Sequence, residues 1–463
     1  MTKNEPKPFN WFPPMLLISM FQLISASYVI YDDGEFKLIT AATVGIYVAV
    51  EWIYVICASS LFKLKHIELE LIGFFLSGIG LIICGSISEN YCMKQGIAIG
   101  LGLIVYIVML VILRRTDIVM ILRLPVAVCA IGILALNIAL AKTTNGTLNW
   151  IEISGISIQP SELVKIAFVF VGGATLDRLQ MTKSITKYIV FAISCVGFLF
   201  LMRDFGTALV FFFTFVIIAF MRSGDFRTIA LVCAIAVLGA AMVILFKSTV
   251  AARFETYRHI WDDMYGKGMQ QTRTLIYSAS GGFFGLGIGQ GMLKYTYAAS
   301  TDLVFGMLCE EWGFVVAGTV LVTFAFLVFY SIKTARNTRS AFYAIVACAA
   351  SGMLLFQMSL NVFGVTDLLP FTGVTLPFIS RGGTSILCSW GMLAFIKSAD
   401  INTYPKLSKT ILPDHPLYPE DIPISFKRRR NSAANDIPVS KKKKNKKAED
   451  IPISSGRRCR VNE

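Results

Sequence analysis

Three carboxylates lie close together where an apolar run begins. Asp302 stands in Thr301-Asp302-Leu303-Val304-Phe305-Gly306, and Glu310 and Glu311 follow about two turns further on. A carboxylate in such a place can take a proton from an attacking hydroxyl or hold a divalent cation. An ionisable group within a bilayer costs roughly 2.5–3.5 kcal/mol at a helix centre unless it is paired or faces water, so its presence points to a functional cavity. Asp302 also has a local reading. Ser300-Thr301-Asp302 precedes the apolar run as a helix N-cap would, and an acidic first turn complements the helix dipole; spacing alone favours the cap. Glu310 and Glu311 are harder to read as scaffold, although either could pair with a buried cation such as Lys165.

A second group runs from Asn149-Trp150 to Gln159-Pro160-Ser161-Glu162-Leu163-Val164-Lys165. Pro160 ahead of Ser161 and Glu162 opens a helix. Trp150 suits either an interfacial belt or a platform for a sugar ring. A third group fills residues 247–301, where Arg253, Arg258, His259, Lys267, Arg273 and Lys294 outnumber Glu255, Asp262 and Asp263. That excess of cations suits an anionic headgroup, such as a lipid phosphate or pyrophosphate. The run Ser280-Gly281-Gly282-Phe283-Phe284-Gly285-Leu286-Gly287-Ile288-Gly289-Gln290-Gly291 could let backbone approach a ligand, but spacing favours turns and packing points.

The elements that must position these residues are membrane helices. The chain is 55% hydrophobic with mean hydropathy +0.65. Apolar runs long enough to cross a core of about 30 Å recur about twelve times, over 14–31, 38–60, 68–86, 93–113, 118–141, 161–177, 187–202, 205–221, 228–246, 302–331, 341–363 and 378–398. Such runs are too long for barrel strands, so the expected fold is all-α, a polytopic membrane helical bundle. No cleavable leader is expected, because the first run lacks a small-residue cleavage site.

Basic residues in the short loops (Lys63 and Lys65; Arg114 and Arg115; Arg178 and Lys183; Arg222 and Arg227; Lys333 and Arg336) fall on one side, which is therefore cytoplasmic, with both termini. The longer connections 142–160, 247–301 and 364–377 then lie outside. Residues 401–463 repeat D-I-P-[IV]-S at Asp421, Asp436 and Asp450 and hold 15 Lys/Arg against 7 Asp/Glu, +8 of the formal +14. This is expected to be a disordered basic tail drawn to anionic lipid.

Several function classes are excluded. The ten cysteines include no C-x-x-C, and one lone cysteine on the outer side argues against a disulfide framework. His66, His259 and His415 fall in different compartments, which disfavours a histidine metal site. No phosphate-binding G-x-x-x-x-G-K-[ST] occurs, so no nucleotide is expected. The basic blocks carry no interleaved aromatics to stack on bases, so no nucleic acid is expected either.

Five motifs together carry a resemblance: W-x(8)-Q-P-S-E-L-x-K at Trp150–Lys165, D-x-G-T-A at Asp204–Ala208, S-G-G-x-x-G-x-G at Ser280–Gly287, T-D-x-x-F-x-x-x-x-E-E-x-G at Thr301–Gly313, and L-P-x-T-G-x-x-L-P-F-I-S-x-G-G-x-S at Leu369–Ser385. In this order they resemble the SEDS family of FtsW, RodA and SpoVE proteins. The resemblance implies a peptidoglycan glycosyltransferase in the bacterial cytoplasmic membrane, polymerising lipid II at the outer face during elongation, division or sporulation. It also implies undecaprenyl pyrophosphate as leaving group, a class B penicillin-binding protein as partner, and a divalent cation, Mg2+ or Mn2+, as a candidate cofactor. Carried over by motif, Asp302 is the catalytic carboxylate and candidate metal ligand. Trp150 lines the substrate cavity, with Glu162, Lys165, Glu310, Glu311, Ser380 and Ser385 in support; Arg253, Arg258 and Lys294 are candidates for the phosphates. A lipid II flippase, or another transporter of lipid-linked sugars, is the alternative from a different class.

The implied organisation is an N-terminal membrane region 1–117 with two spans additional to the SEDS-type core, a catalytic core 118–400, and the tail. Asp367 and Arg381 depart from the family pattern at the two ends of one segment and are expected to form a compensating ion pair. The orientation has a direct test. In intact cells a cysteine at position 266 is expected to react with an impermeant probe and one at 336 to stay protected; the reverse pattern would invert the topology.

Overall fold

The computed structural model describes residues 9–400 apart from 33, 61–63, 65, 141, 145–146, 154–155, 177–181, 228–229, 231, 235–254 and 339. Arg253, the tail 401–463 and most of the expected span 228–246 lie outside the described residues.

The bundle opens with α1 (Phe12–Ile30), whose first turn is set by Pro13 and Pro14, and α2 (Leu38–Ser60). Between them sits a hairpin of β1 (Tyr31–Asp32) and β2 (Glu35–Phe36). Then come α3 (Glu68–Ile87), α4 (Glu89–Leu113) and α5 (Thr116–Leu140). The next connection is a small antiparallel sheet in the order β3 (Lys142–Thr144), β4 (Thr147–Ile153), β5 (Ile156–Ile158). It leads into α6 (Pro160–Leu176), α7 (Thr182–Leu201) and α8 (Phe205–Ser223). Short strands thus decorate two connections of a helical architecture.

The described part of the segment expected as a long loop before Asp302, residues 255–301, is folded: it holds α9 (Met269–Ser280) and a 3-10 turn at Leu293–Tyr295. The chain ends its described part with α10 (Val304–Arg336), α11 (Ala341–Val365) and α12 (Gly383–Ser398). Eight of the described helices are long and apolar enough to cross a membrane.

Two differences from the sequence reading bear on function. First, α12 starts at Gly383, not near 378, and residues 374–380 ahead of it are buried without being helical. Non-helical backbone at such depth is tolerated only inside protein or along a cavity. Second, α10 is broken at Gly313, with φ 79 and ψ 174.

The centre of the bundle is α12, which packs on α3, α4, α6 and α11. Its Trp390 is fully buried, with the rings of Phe74, Tyr106 and Phe378 at 5.2, 5.7 and 6.0 Å. Gly73 and Gly102 make room for it, since a Cβ on either would stand within 2.9 Å of the indole. At the far end of α12, Lys397 pairs with Glu70 at 3.0 Å and donates to the His66 carbonyl, while Tyr106 donates to Glu70 at 2.8 Å. Both charges are fully buried. Removing one partner of such a pair strands the other, so Lys397→Met is expected to lose about 3–5 kcal/mol. In thermal unfolding the double variant Lys397→Met/Glu70→Leu should recover most of that loss.

Candidate active site

The cap position of α10 falls on Leu303, so Asp302 stands one residue ahead of it. The aspartate is half-buried, and its carboxylate lies 3.3 Å from where a Cβ on Gly373 would stand. Glycine at 373, with φ +66, leaves that space open. The backbone leading to Asp302 is held from three directions. Ser380 Oγ donates to the Thr301 carbonyl at 2.6 Å, the Arg381 N–H to the Ser300 carbonyl at 2.7 Å, and Asn361 Nδ2 to the Asp302 carbonyl at 2.8 Å.

A buried polar chain runs beside this point. Lys165, fully buried, pairs with Glu162 at 2.7 Å and donates to Gln357 Oε1 at 2.9 Å. Gln357 Nε2 reaches the Thr375 carbonyl at 3.0 Å, and Thr375 Oγ1 bonds Ser385 Oγ at 2.9 Å. Gln357 and Asn361 are four residues apart and so share one face of α11. Through that face the Lys165 chain and the Asp302 backbone meet on the same segment, residues 373–375.

Trp150 is half-buried on β4. Its neighbour Asn149 donates to Ser161 Oγ at 2.9 Å and to Asp204, and accepts from Asn137 at 3.0 Å. The Gln159 N–H reaches Thr384 Oγ1 at 3.3 Å, tying the strand end to the start of α12. Asp204 also accepts from the Thr207 N–H at 3.0 Å, so the aspartate of D-x-G-T-A caps α8.

Glu310 and Glu311 do not join this constellation or pair with Lys165. Glu310 accepts from the N–H groups of Met292 and Leu293 at 2.7 and 3.0 Å, and Glu311 from that of Gly289 at 3.0 Å. Their carbonyls accept from Leu286 and Gly287, while Phe314 and Val315 donate to Gly282 and Phe283. The glycine-rich run therefore repairs the break in α10. A Cβ on Gly281 would overlap the Cys309 carbonyl oxygen, and one on Gly285 that of Glu311. The glycines are packing points, because backbone meets backbone there.

Lys294 is bound to the Gly289 carbonyl at 2.6 Å. Arg258 is exposed, its guanidinium 5.4 Å from the Tyr257 ring. The expected Asp367–Arg381 ion pair does not form: Asp367 accepts from the Arg258 N–H at 3.3 Å, and Arg381 stacks on Tyr91 at 3.9 Å. Asp367 is in the left-handed region, φ 56, which turns its side chain toward the Arg258 segment. Gln357, Asn361, Asn149 and Asp204 were absent from the sequence-based site. For Gln357 and Asn361 a signal existed, two amides four residues apart inside an apolar span.

Residues 83–404 match the family model FTSW_RODA_SPOVE, described as "Cell cycle protein". The chain belongs to the FtsW/RodA/SpoVE family. The match begins near the end of α3 and leaves α1 and α2 outside. A "Probable peptidoglycan glycosyltransferase FtsW" of Alcanivorax borkumensis is 32% identical over 326 residues, 67% of this chain and 83% of that one. "Stage V sporulation protein E" of Bacillus subtilis is 31% identical over 261 residues, 55% of this chain and 71% of that one. Among solved structures, a chain from "Structural coordination of polymerization and crosslinking by a peptidoglycan synthase complex" matches with TM-score 0.60 at 23% identity, covering 73% of this chain and 98% of that one. Thermus thermophilus RodA matches with TM-score 0.53 at 23% identity, covering 73% and 96%. These two likenesses support the family fold.

The packing role of the glycines separates two substitutions in neighbouring elements. Gly281→Ala places a methyl against fixed backbone and is expected to cost about 1–3 kcal/mol or more. Gly318→Ala, where nothing lies within 4 Å, should be neutral or stabilising by about 0.5–1 kcal/mol. Melting of the two purified variants in detergent checks the contrast.

Proposed function

We propose that this chain polymerises lipid II into glycan strands, with Asp302 as the carboxylate that acts on the attacking sugar hydroxyl. The observation that carries the reading is the place of Asp302. It is half-buried, stands ahead of the cap position, faces the gap at Gly373, and is held by its backbone beside a buried lysine network. A base whose backbone is held in place loses less freedom in reaching its substrate, and proximity of this kind supplies much of the rate.

The leaving pyrophosphate needs positive charge. Exposed Arg258, bonded through its N–H to the segment after α11, is placed to supply it, and Trp150 offers an apolar face for a sugar. Glu162, Lys165 and Ser385 lie in the supporting chain and shape the field from within the bundle.

Among the described residues no three His, Cys, Asp or Glu side chains come together as a metal cage, so a divalent ion would rest on Asp302 with substrate and water. Mg2+ is commonly held by one or two carboxylates with the rest of its shell from phosphate and water, and Asp302 is such a carboxylate. Mg2+ or Mn2+ held there would neutralise charge on the pyrophosphate. The basic-loop pattern supports an outer-facing site in the bacterial cytoplasmic membrane with cytoplasmic termini. The family supports a class B penicillin-binding protein as partner. Transport is less well supported, because Lys397 and Glu70, at the far end of α12, are bonded to each other and fully buried, and so do not line a path.

Asp302→Asn keeps shape and loses charge and proton affinity. It is expected to fold normally and to lose about 10²–10⁴-fold in polymerisation of purified lipid II. Asp302→Glu should keep at most a trace. Wild-type strand synthesis by Asp302→Asn would remove the carboxylate from the mechanism.

A further inference from the structure

The structure assigns to Asn361 the role of a positioning residue for Asp302, acting through the main chain; this rests on the catalytic reading of Asp302. Asn361 is 3% exposed on α11, in a stretch otherwise rich in apolar residues. Both hydrogens of its amide are used on carbonyls, that of Asp302 at 2.8 Å and that of Val374 at 2.7 Å. Two acceptors demand the NH2 end of the amide, so its orientation follows from chemistry.

Val374 follows Gly373, the residue whose missing side chain leaves room for the Asp302 carboxylate. One amide therefore bolts together the two backbone segments whose separation sets that gap. Ser380 and the Arg381 N–H hold Thr301 and Ser300; Asn361 reaches Asp302 itself. One turn back on the same helix face, Gln357 fixes Thr375, so the segment opposite Asp302 is pinned at two successive residues, Val374 and Thr375.

The other end of the amide shows what is given up for this. Asn361 Oδ1 is buried and accepts no hydrogen bond from the described residues. An unmade buried acceptor is costly, and the amides of Gln22 and Asn137 bear the same cost while their donors are bonded. Here the acceptor is sacrificed to keep both donors aimed. Asn361 is buried away from solvent and need not touch substrate; its effect is on where the carboxylate stands. A displacement of about 1 Å can cost about 10²-fold in rate.

The test uses the purified full-length chain with lipid II, and reads kcat and KM per folded molecule, with folding followed by gel filtration and melting. Asn361→Asp is isosteric and removes both donors; Asn361→Thr keeps one. The expected result is a kcat lower by about 10²-fold in Asn361→Asp and by less in Asn361→Thr, with KM for lipid II unchanged. A residue that only stabilises would lower the melting temperature and leave kcat per folded molecule alone. That outcome, or a change confined to KM, overturns the assignment, and Asn361→Thr decides if Asn361→Asp does not fold. The two failures are separable. Wild-type activity in Asp302→Asn removes the reading of Asp302, whereas an inactive Asp302→Asn with wild-type kcat in Asn361→Thr removes only the role of Asn361.

Discussion

A backbone N–H or C=O inside a membrane must find a partner within the protein, and much of this structure answers that demand. Breaking α10 at Gly313 frees main-chain groups at the end of a buried stretch, residues 304–313. The glycine-rich run supplies the partners: Leu286 and Gly287 donate to the carbonyls of Glu310 and Glu311, and Gly282 and Phe283 accept from Phe314 and Val315. The two glutamate side chains complete the repair by capping the amides of Gly289, Met292 and Leu293. Two motifs that look separate along the chain are thus one device. It holds the short part of α10 ahead of Gly313, and so the place from which Asp302 projects.

The same demand governs the non-helical stretch ahead of α12. Residues 374–380 are buried, and their carbonyls and amides are met by side chains: Asn361 on Val374, Gln357 on Thr375, Ser380 on Leu376 and Ser389 on Phe378. Each partner is a small polar side chain on α11 or α12 or within the stretch. In low dielectric such bonds strengthen one another, and a missing partner is correspondingly costly. Rigidity at the site comes from this mutual satisfaction. It lets a stretch of irregular backbone hold Gly373 opposite a carboxylate.

The helices outside the family match are attached by the same chemistry. Lipid is as apolar as leucine, so burying apolar area does not drive helices together there, and polar bonds and close packing must do so. Gln22 of α1 donates to Glu51 of α2 at 3.0 Å, Tyr47 of α2 to the Phe74 carbonyl of α3 at 2.7 Å, and Trp52 of α2 to Ser19 of α1 at 2.9 Å. Gly78 of α3 leaves room for the Gln22 amide, which a Cβ would crowd at 2.5 Å. The pair is therefore a fitted part of the bundle.

Length and hydropathy were enough to identify a helical membrane protein and most of its spans, because a helix in lipid satisfies its own backbone and needs no knowledge of its neighbours. The motifs, taken in order, were enough for the family, and they marked Asp302, Trp150 and Lys165 as residues to examine. What remained hidden were the partners. Glu310 and Glu311 looked like site carboxylates, and only the fold shows them turned onto the amides of a loop that ends more than ten residues earlier in the chain. Asp367 and Arg381 looked complementary, but the left-handed backbone at Asp367 and the Tyr91 ring under Arg381 draw them elsewhere. Asn361 and Gln357 were legible as polar residues in a span, yet their targets are main-chain carbonyls, which every residue carries and no sequence distinguishes. Residue type and spacing therefore decided which chemistry this protein holds. The long-range approach of backbone to side chain, available only once α10, α11 and the stretch before α12 are packed, decided where that chemistry stands.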